Sequence, residues 1–295
     1  SDSKPVGRVA PPAPAAAPAA QSVPAGTTAA AASMPASKKE SRLQWLKQMR
    51  DANWQPAYLL HARAYRESSV LADWFLPEHG RVSAVVRGAR RKGRSMPALF
   101  HPFFIQLSGS GDLKSVTHHE PAGDALNLRG GTLFSGLYMN ELLVRLLPRE
   151  LPVPELFVAY GGALGALSEL DGRVMSDLEP ILRRFERQLL EAMGQGIGAP
   201  VQADTQEALQ SDGQYVYYPM QGWLPAKPGQ QGLCLGADIL AVAADDVSTP
   251  TRRRLAKWMY RTALEPLLVG RPLKSRDLFA SLMLNSQSST PSNEA

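Results

Sequence analysis

The chain has 295 residues, 44% of them hydrophobic and 20% charged, enough to bury a core in each of two ordinary domains. Its 32 basic and 27 acidic residues leave a formal charge of +5, modest unless it is concentrated in one place. Cys234 is the only cysteine, which excludes an internal disulfide framework and any zinc site needing two or more cysteines.

Residues 5–37 are dominated by Ala, Pro, Ser, Thr and Gly, with Met34 the one bulky hydrophobe beyond valine. Nothing there offsets the entropy of ordering, so 1–37 is expected to be a disordered tail. Segment 38–55 reads as a linker or short helix, with Leu43, Leu46 and Met49 at helical spacing. No stretch approaches the roughly 18–20 continuous apolar residues of a membrane helix. The N-terminal residues also lack the charged-then-leucine-rich pattern of a secretory signal, so the expected location is the cytoplasm, away from membranes.

From Pro56 the texture changes to short apolar runs divided by turns. Residues 57–65, 68–76, 80–89, 103–110 and 113–121 each read as a strand, rich in Val, Ile, Tyr, Phe and Leu and bounded by Gly, Pro or Ser. "PEHG" at 77–80 is a tight turn and "SGSGD" at 108–112 a hairpin turn. Five strands over 56–122, with a longer excursion after the third, suit a small closed barrel such as an OB-fold. SH3-like barrels and small sandwiches give similar strings.

After Leu128 the period becomes helical. Helices are expected at 132–148, 154–170, 176–194, 250–268 and 275–284. The third is the clearest, with Ser176 as a candidate N-cap, Pro180 in its first turn and Gly194 as its stop. Its apolar stripe is Leu178, Leu182, Phe185, Leu189 and Met193, with Arg183, Arg184 and Arg187 off the stripe. Residues 195–236 form a Gly-, Gln- and Pro-rich insert with a hairpin-like stretch at 214–226, and 286–295 is a second solvated tail. The fold class is therefore α+β: an N-terminal OB-fold β-barrel followed by a mostly α-helical C-terminal domain over 123–285.

Nothing argues for an enzyme. There is no Gly-x-Ser-x-Gly elbow, no phosphate-binding Gly-x4-Gly-Lys-Ser/Thr loop and no His-Glu-x-x-His. "GQGIG" at 194–198 follows a helix rather than a strand, so it reads as a helix stop. "HHE" at 118–120 points its neighbours to opposite faces of a strand, and no cofactor or metal is expected.

The basic segment is different. Arg81, Arg87, Arg90, Arg91, Lys92 and Arg94 occur within fourteen residues with no acid among them. A solvated face, a nuclear-import tag and a grip on a polyanion are the alternatives. Its place after a barrel strand, near Arg63, Arg66 and Lys114, favours nucleic acid. OB barrels pair cationic loops with exposed aromatics, for which Tyr58, Tyr65, Trp74, Phe103 and Phe104 are available. In the third helix, Arg183, Arg184 and Arg187 beside the apolar stripe suit either a groove for an acidic, hydrophobic-tipped peptide or a solvated face with an Arg187–Glu191 pair.

In order and spacing, "PAYLLHARAYRESSVLADWFLPEHGRVSAVVRGARRKGRS", "HPFFIQLSGSGDLKSV", "LFSGLYMNELLVRLLP", "LRRFERQLLEAMGQG" and "PLKSRDLF" resemble the bacterial RecO recombination-mediator family. The resemblance covers roughly 54–284. It implies a non-enzymatic, nucleoid-associated protein of DNA repair that binds single- and double-stranded DNA and anneals complementary strands. It further implies help in loading recombinase onto DNA coated by single-strand-binding protein, with RecR and the acidic C-terminal tail of that protein as partners. Carried onto this chain, the DNA contacts are Arg87, Arg90, Arg91, Lys92 and Arg94, with Arg81 and Lys114 nearby. The peptide contacts are Arg183, Arg184 and Phe185, with Arg187 beside them. Some family members hold a four-cysteine zinc module, which this chain cannot build, so packing is expected to hold the 195–236 insert. A general OB-fold module for RNA or tRNA is the alternative reading.

Overall fold

The computed structural model describes residues 53–93, 96–196, 200–218 and 221–278. The two expected tails, most of segment 38–55, most of the expected helix at 275–284 and Arg94 lie outside them.

Five strands close a barrel: β1 (Gln55–Tyr65), β2 (Ser69–Leu76), β3 (Gly80–Val86), β4 (Pro102–Ser108) and β5 (Lys114–Pro121). Their order is β1-β2-β3-β5-β4, with β4 returning to pair with β1. β3 and β5 run parallel, Ala84 beside Lys114 and Val86 beside Val116. A parallel pair cannot be joined by a hairpin, so the chain leaves β3 through the basic loop, crosses as β4 and returns. This is an OB-like barrel, as the strand count and the long excursion predict.

Alternation fills it. On β2, Val70, Ala72, Trp74 and Leu76 are buried at every second position, and Trp74 meets Phe103 edge-on at 5.8 Å. Phe75, on the opposite face, is also fully buried because it points out of the barrel into the helical region.

That region holds α1 (Gly130–Leu146), α2 (Pro154–Ser168), α3 (Met175–Ala192), α4 (Gly236–Ala243) and α5 (Pro250–Leu267). A small sheet of β6 (Gln214–Tyr218), β7 (Gly222–Pro225) and β8 (Cys234–Leu235) lies in the insert. The β6–β7 hairpin falls where the sequence predicts it, whereas α4 and β8 are unforeseen. α3 begins one residue earlier than expected, with Val174 and not Ser176 at its N-cap. Pro180 is consequently inside the second turn, where its missing N–H costs one helical hydrogen bond. Gly194 does end the helix, with φ +69°.

The barrel interior is one core, and the outer face of the barrel joins the helices in a second, to which it contributes Leu60 and Phe75. β1 shifts register between Leu59 and His61, a bulge that takes Leu60 and its carbonyl out of the regular pairing with β2. Buried Asn140 of α1 donates to that carbonyl at 3.0 Å, and the Tyr160 hydroxyl of α2 donates to Asn140 at 2.5 Å. Around this network Tyr58 and Phe75 of the barrel pack on Phe157 and Tyr160 at centroid separations of 5.1 to 5.9 Å.

One turn on the helical side tolerates no side chain. Gly80 has φ +59°, and a Cβ there would stand 1.9 Å from the Leu151 carbonyl oxygen. Gly80→Ala is expected to cost about 3 kcal/mol or more through left-handed strain plus displaced backbone, read as a lowered midpoint in denaturant.

Candidate nucleic-acid interface and partner pocket

The basic loop is pinned rather than free at its start. Gly88 adopts φ +68°, a left-handed turn that lets the Arg91 N–H donate to the Gly88 carbonyl at 3.0 Å. The Arg90 N–H donates to the Ser68 carbonyl at 3.0 Å and its guanidinium to the Arg66 carbonyl at 3.4 Å. These bonds lean the loop against the β1–β2 turn. Between them opens a cleft of about 710 Å³ lined by Tyr65, Arg66, Ser69, Arg87, Arg91 and Lys114.

The cleft is electropositive. Arg87, Arg90, Arg91 and Lys92 are all exposed and hold no ion pair among the described residues, so their charge faces solvent. Lys114 also lines the cleft but is mostly covered and paired with Glu150 at 2.8 Å. The Lys114 hydrogen bond and charge hold the Glu150 carboxyl below the usual carboxylate range. Of the five candidate aromatics only Tyr65 lines the cleft, with the Arg66 guanidinium 5.2 Å from its ring centroid. Trp74 and Phe103 fill the barrel, and Tyr58 belongs to the shared core.

Arg81 is corrected. Its Nε donates to the Leu147 carbonyl at 3.0 Å, Nη1 stands 3.6 Å from Asp73, and the side chain is only 14% exposed. Burial lowers its pKa, with Asp73 partly offsetting. Arg81 ties β3 to the end of α1 and does not face the cleft.

The helical candidates divide more sharply. α3 packs against α1, α2 and α5, so little of its circumference meets solvent. Phe185 is fully buried in the core and cannot line a surface groove. Arg187 donates through Nε and Nη2 to both carboxylate oxygens of Asp245, at 2.7 and 2.6 Å, and through Nη1 to Glu191 at 2.6 Å. The Asp245 bonds raise its pKa, and it serves as a tie between α3 and the turn after α4. Arg184 is exposed on that same side, 3.8 Å from Asp245. The expected groove formed by all four residues is therefore not present.

A different recess lies on the other side of α3. Its volume is about 260 Å³, and its lining includes Phe134, Leu182, Arg183, Lys257, Arg261 and Arg276. Arg183 is 5% exposed beside Glu186, which is fully buried, with Nη1 3.0 Å from the carboxylate. The angle is poor, and Nε and Nη1 of Arg183 lack an aligned acceptor. Glu186 instead accepts from the Tyr138 hydroxyl at 2.5 Å, and Arg276 donates to that hydroxyl at 3.2 Å. Burial, followed by Glu186, raises the Tyr138 pKa. Burial lowers that of Arg261, helped by the nearby charges of Arg276 and Arg183. Lys257 is bound to Glu179 at 2.7 Å. Four cations face two acids around an apolar lining, a setting for a carboxylate joined to a hydrophobic group.

Two family models match the chain, Recombination protein O N terminal over residues 49–123 and Recombination protein O C terminal over 129–277. The chain belongs to the RecO family. It is 44% identical over 225 residues to the DNA repair protein RecO of Pseudomonas aeruginosa PAO1, covering 76% of this chain and 94% of that protein. The Pseudomonas putida W619 protein of the same name is 45% identical, covering 76% and 96%. That of Cellvibrio japonicus Ueda107 is 41% identical over 230 residues, covering 76% and 95%.

A RecO-type zinc module does not fit these residues. Cys234 stands alone, and no group of three metal-ligating side chains occurs among the described residues. Packing holds the insert: Leu209, Tyr215 and Trp223 are buried with Ile239 and Val242 of α4. Among the described residues no helix is long and apolar enough to cross a membrane.

The "PLKSRDLF" block of this RecO-family chain is clasped by α1. Glu141 accepts from the N–H groups of Lys274 and Ser275 at 3.0 and 2.9 Å, and from the Ser275 hydroxyl at 2.7 Å. Arg145 donates to the carbonyls of Leu268, Arg271 and Pro272 at 2.5 to 3.2 Å. The clasp sets Arg276 against Tyr138. Burial pushes the Glu141 pKa up, but the Ser275 and Lys274 bonds with Arg145 outweigh it and leave it lowered. A lowered carboxylate stabilises the fold above its unfolded pKa of about 4.3, and that contribution is lost as pH falls through the folded value. Glu141→Gln is expected to cost about 2 kcal/mol at neutral pH. The difference from wild type should shrink in thermal melts taken progressively below pH 4.

Proposed function

We propose that this RecO-family protein is a non-enzymatic mediator of DNA repair that binds single- and double-stranded DNA and anneals complementary strands. It helps load recombinase onto DNA coated by single-strand-binding protein, acting with RecR in the cytoplasm. The observation that carries this reading is the cleft, where Arg66, Arg87 and Arg91 converge beside a loop whose exposed cations hold no ion pair among the described residues.

Phosphates entering the cleft release counterions, which supplies affinity without sequence preference. Cations that screen two strands together lower their mutual repulsion, and base pairing then supplies the specificity. The recess floored by Arg183 is assigned to the acidic, Phe-ended tail of single-strand-binding protein. The terminal carboxylate would meet Arg183, Arg261 and Arg276, and the aromatic ring Phe134 and Leu182. Docking there raises the concentration of the cleft at coated strands.

The test is annealing of complementary oligonucleotides coated with single-strand-binding protein, without nucleotide or metal. The expected result is annealing that slows steeply between about 50 and 200 mM salt. Absence of annealing, or a rate indifferent to salt, would remove the reading.

A further inference from the structure

The cleft accounts for one strand, whereas annealing needs two. The exposed face of α5 offers a second place. The helix carries Arg252, Arg253, Arg254, Lys257 and Arg261 against a single acid, Glu265. Three of the five cations are committed. Arg252 is bound to Asp238 and Asp246, Arg253 to the carbonyls of Val247 and Ser248, and Lys257 to Glu179.

Arg254 and Arg261 are exposed and hold no ion pair among the described residues. Between them on the same helical face stands Trp258, one turn from each and 42% exposed. Trp258 is fixed edge-on against Tyr217 at 5.8 Å, which itself rests on Trp223 at 5.1 Å. Its outer side opens on a groove of about 420 Å³ walled by Leu233 and Leu235. The groove's own acid, Asp238, is already taken by Arg252.

We infer that this face, with Trp258 as stacking platform and Arg254 and Arg261 as phosphate contacts, is a second binding surface for single-stranded DNA. Sequence-indifferent single-strand binding combines cations that track the backbone with aromatic side chains on which bases stack, and this face offers both. A duplex, whose base faces are already stacked, cannot use the platform. The inference rests on the annealing reading, since it supplies the place for the complementary strand. Arg261 also lines the tail recess, so the two surfaces adjoin along α5.

The test uses the full chain and an oligo-dT probe, with Arg254→Glu combined with Trp258→Ala. Arg261 is left in place because it belongs to the recess. With the cleft intact, annealing is expected to slow about tenfold. In a background where the cleft arginines are reversed, residual oligo-dT affinity should fall by a similar factor. Trp258→Phe, which retains a ring against Tyr217, should restore most of both, and quenching of tryptophan fluorescence by oligo-dT should shrink in that variant. Annealing and residual affinity both within twofold of their parents would overturn the inference. So would loss of affinity for an acidic peptide with oligo-dT binding unchanged, which would assign the face to a protein. Failure of the cleft reading is separate: reversal of the cleft arginines would then leave wild-type oligo-dT binding, whatever α5 does.

Discussion

Reversing Arg87, Arg90 and Arg91 to Glu together lowers affinity for a labelled single strand at least a hundredfold at low salt, on the order of 3 kcal/mol or more. The same change flattens the dependence of log affinity on log salt by about 2, since each phosphate contact on a single strand contributes roughly 0.7 to the slope. The three side chains are exposed and hold no ion pair among the described residues, and loss of the exposed Arg90 bond to the Arg66 carbonyl should cost no more than about 1 kcal/mol of stability. Arg81 is the control. Arg81→Gln breaks the bond to the Leu147 carbonyl and leaves Asp73 without its arginine, so it should cost about 1–3 kcal/mol of stability while leaving the salt slope unchanged. A flat slope for wild type, or equal slopes for the triple variant and wild type, would remove the loop from the interface.

Arg183→Glu should be among the most damaging single changes on the helical side. It sets a second carboxylate against Glu186 at a site with almost no solvent, at about 3–5 kcal/mol and a fall of roughly 10 °C in Tm. Loss of tail binding in that variant would say little, because its fold is compromised. Arg261→Glu separates the two effects. Arg261 is exposed at the recess mouth and lies near the charges of Arg276 and Arg183, so reversal relieves repulsion within the fold. It is expected to weaken an acidic, Phe-ended peptide at least tenfold with Tm lowered by no more than a few degrees, measured by fluorescence anisotropy beside a thermal melt. Unchanged peptide affinity would place the tail elsewhere.

The barrel was legible because its signals are local. Alternation along β2, the "PEHG" turn and the "SGSGD" hairpin each report on neighbours a few residues apart. The difference between Arg81 and Arg87 was not legible. Both belong to one basic run, and what separates them is Asp73 on the adjoining strand and a carbonyl 66 positions away. Nor was the order of the loop's start legible, since it rests on the left-handed turn at Gly88 and on a bond from Arg90 to the distant Ser68 carbonyl.

On α3 the amphipathic stripe was correct, but amphipathicity treats a helix as having one buried side. Contacts with α1, α2 and α5 bury Arg183 as well, whereas Arg184 remains exposed. The recess draws Arg183 from α3, Lys257 and Arg261 from α5, and Arg276 from the final block, so no window of sequence contains it. α4 was missed because eight residues following a Gly- and Gln-rich run give too few periods to recognise.

The carbonyl that Asn140 satisfies has a consequence for how two ligands would act on one molecule. With the β1 bulge bonded into α1 and α2, and Phe75 and Tyr58 seated among helical side chains, the shared core provides no slack joint between barrel and bundle. The cleft and the recess are then borne on one continuously packed body. Loads placed on the two would bear on a single beam, joined through packed side chains and not through the connecting loop alone.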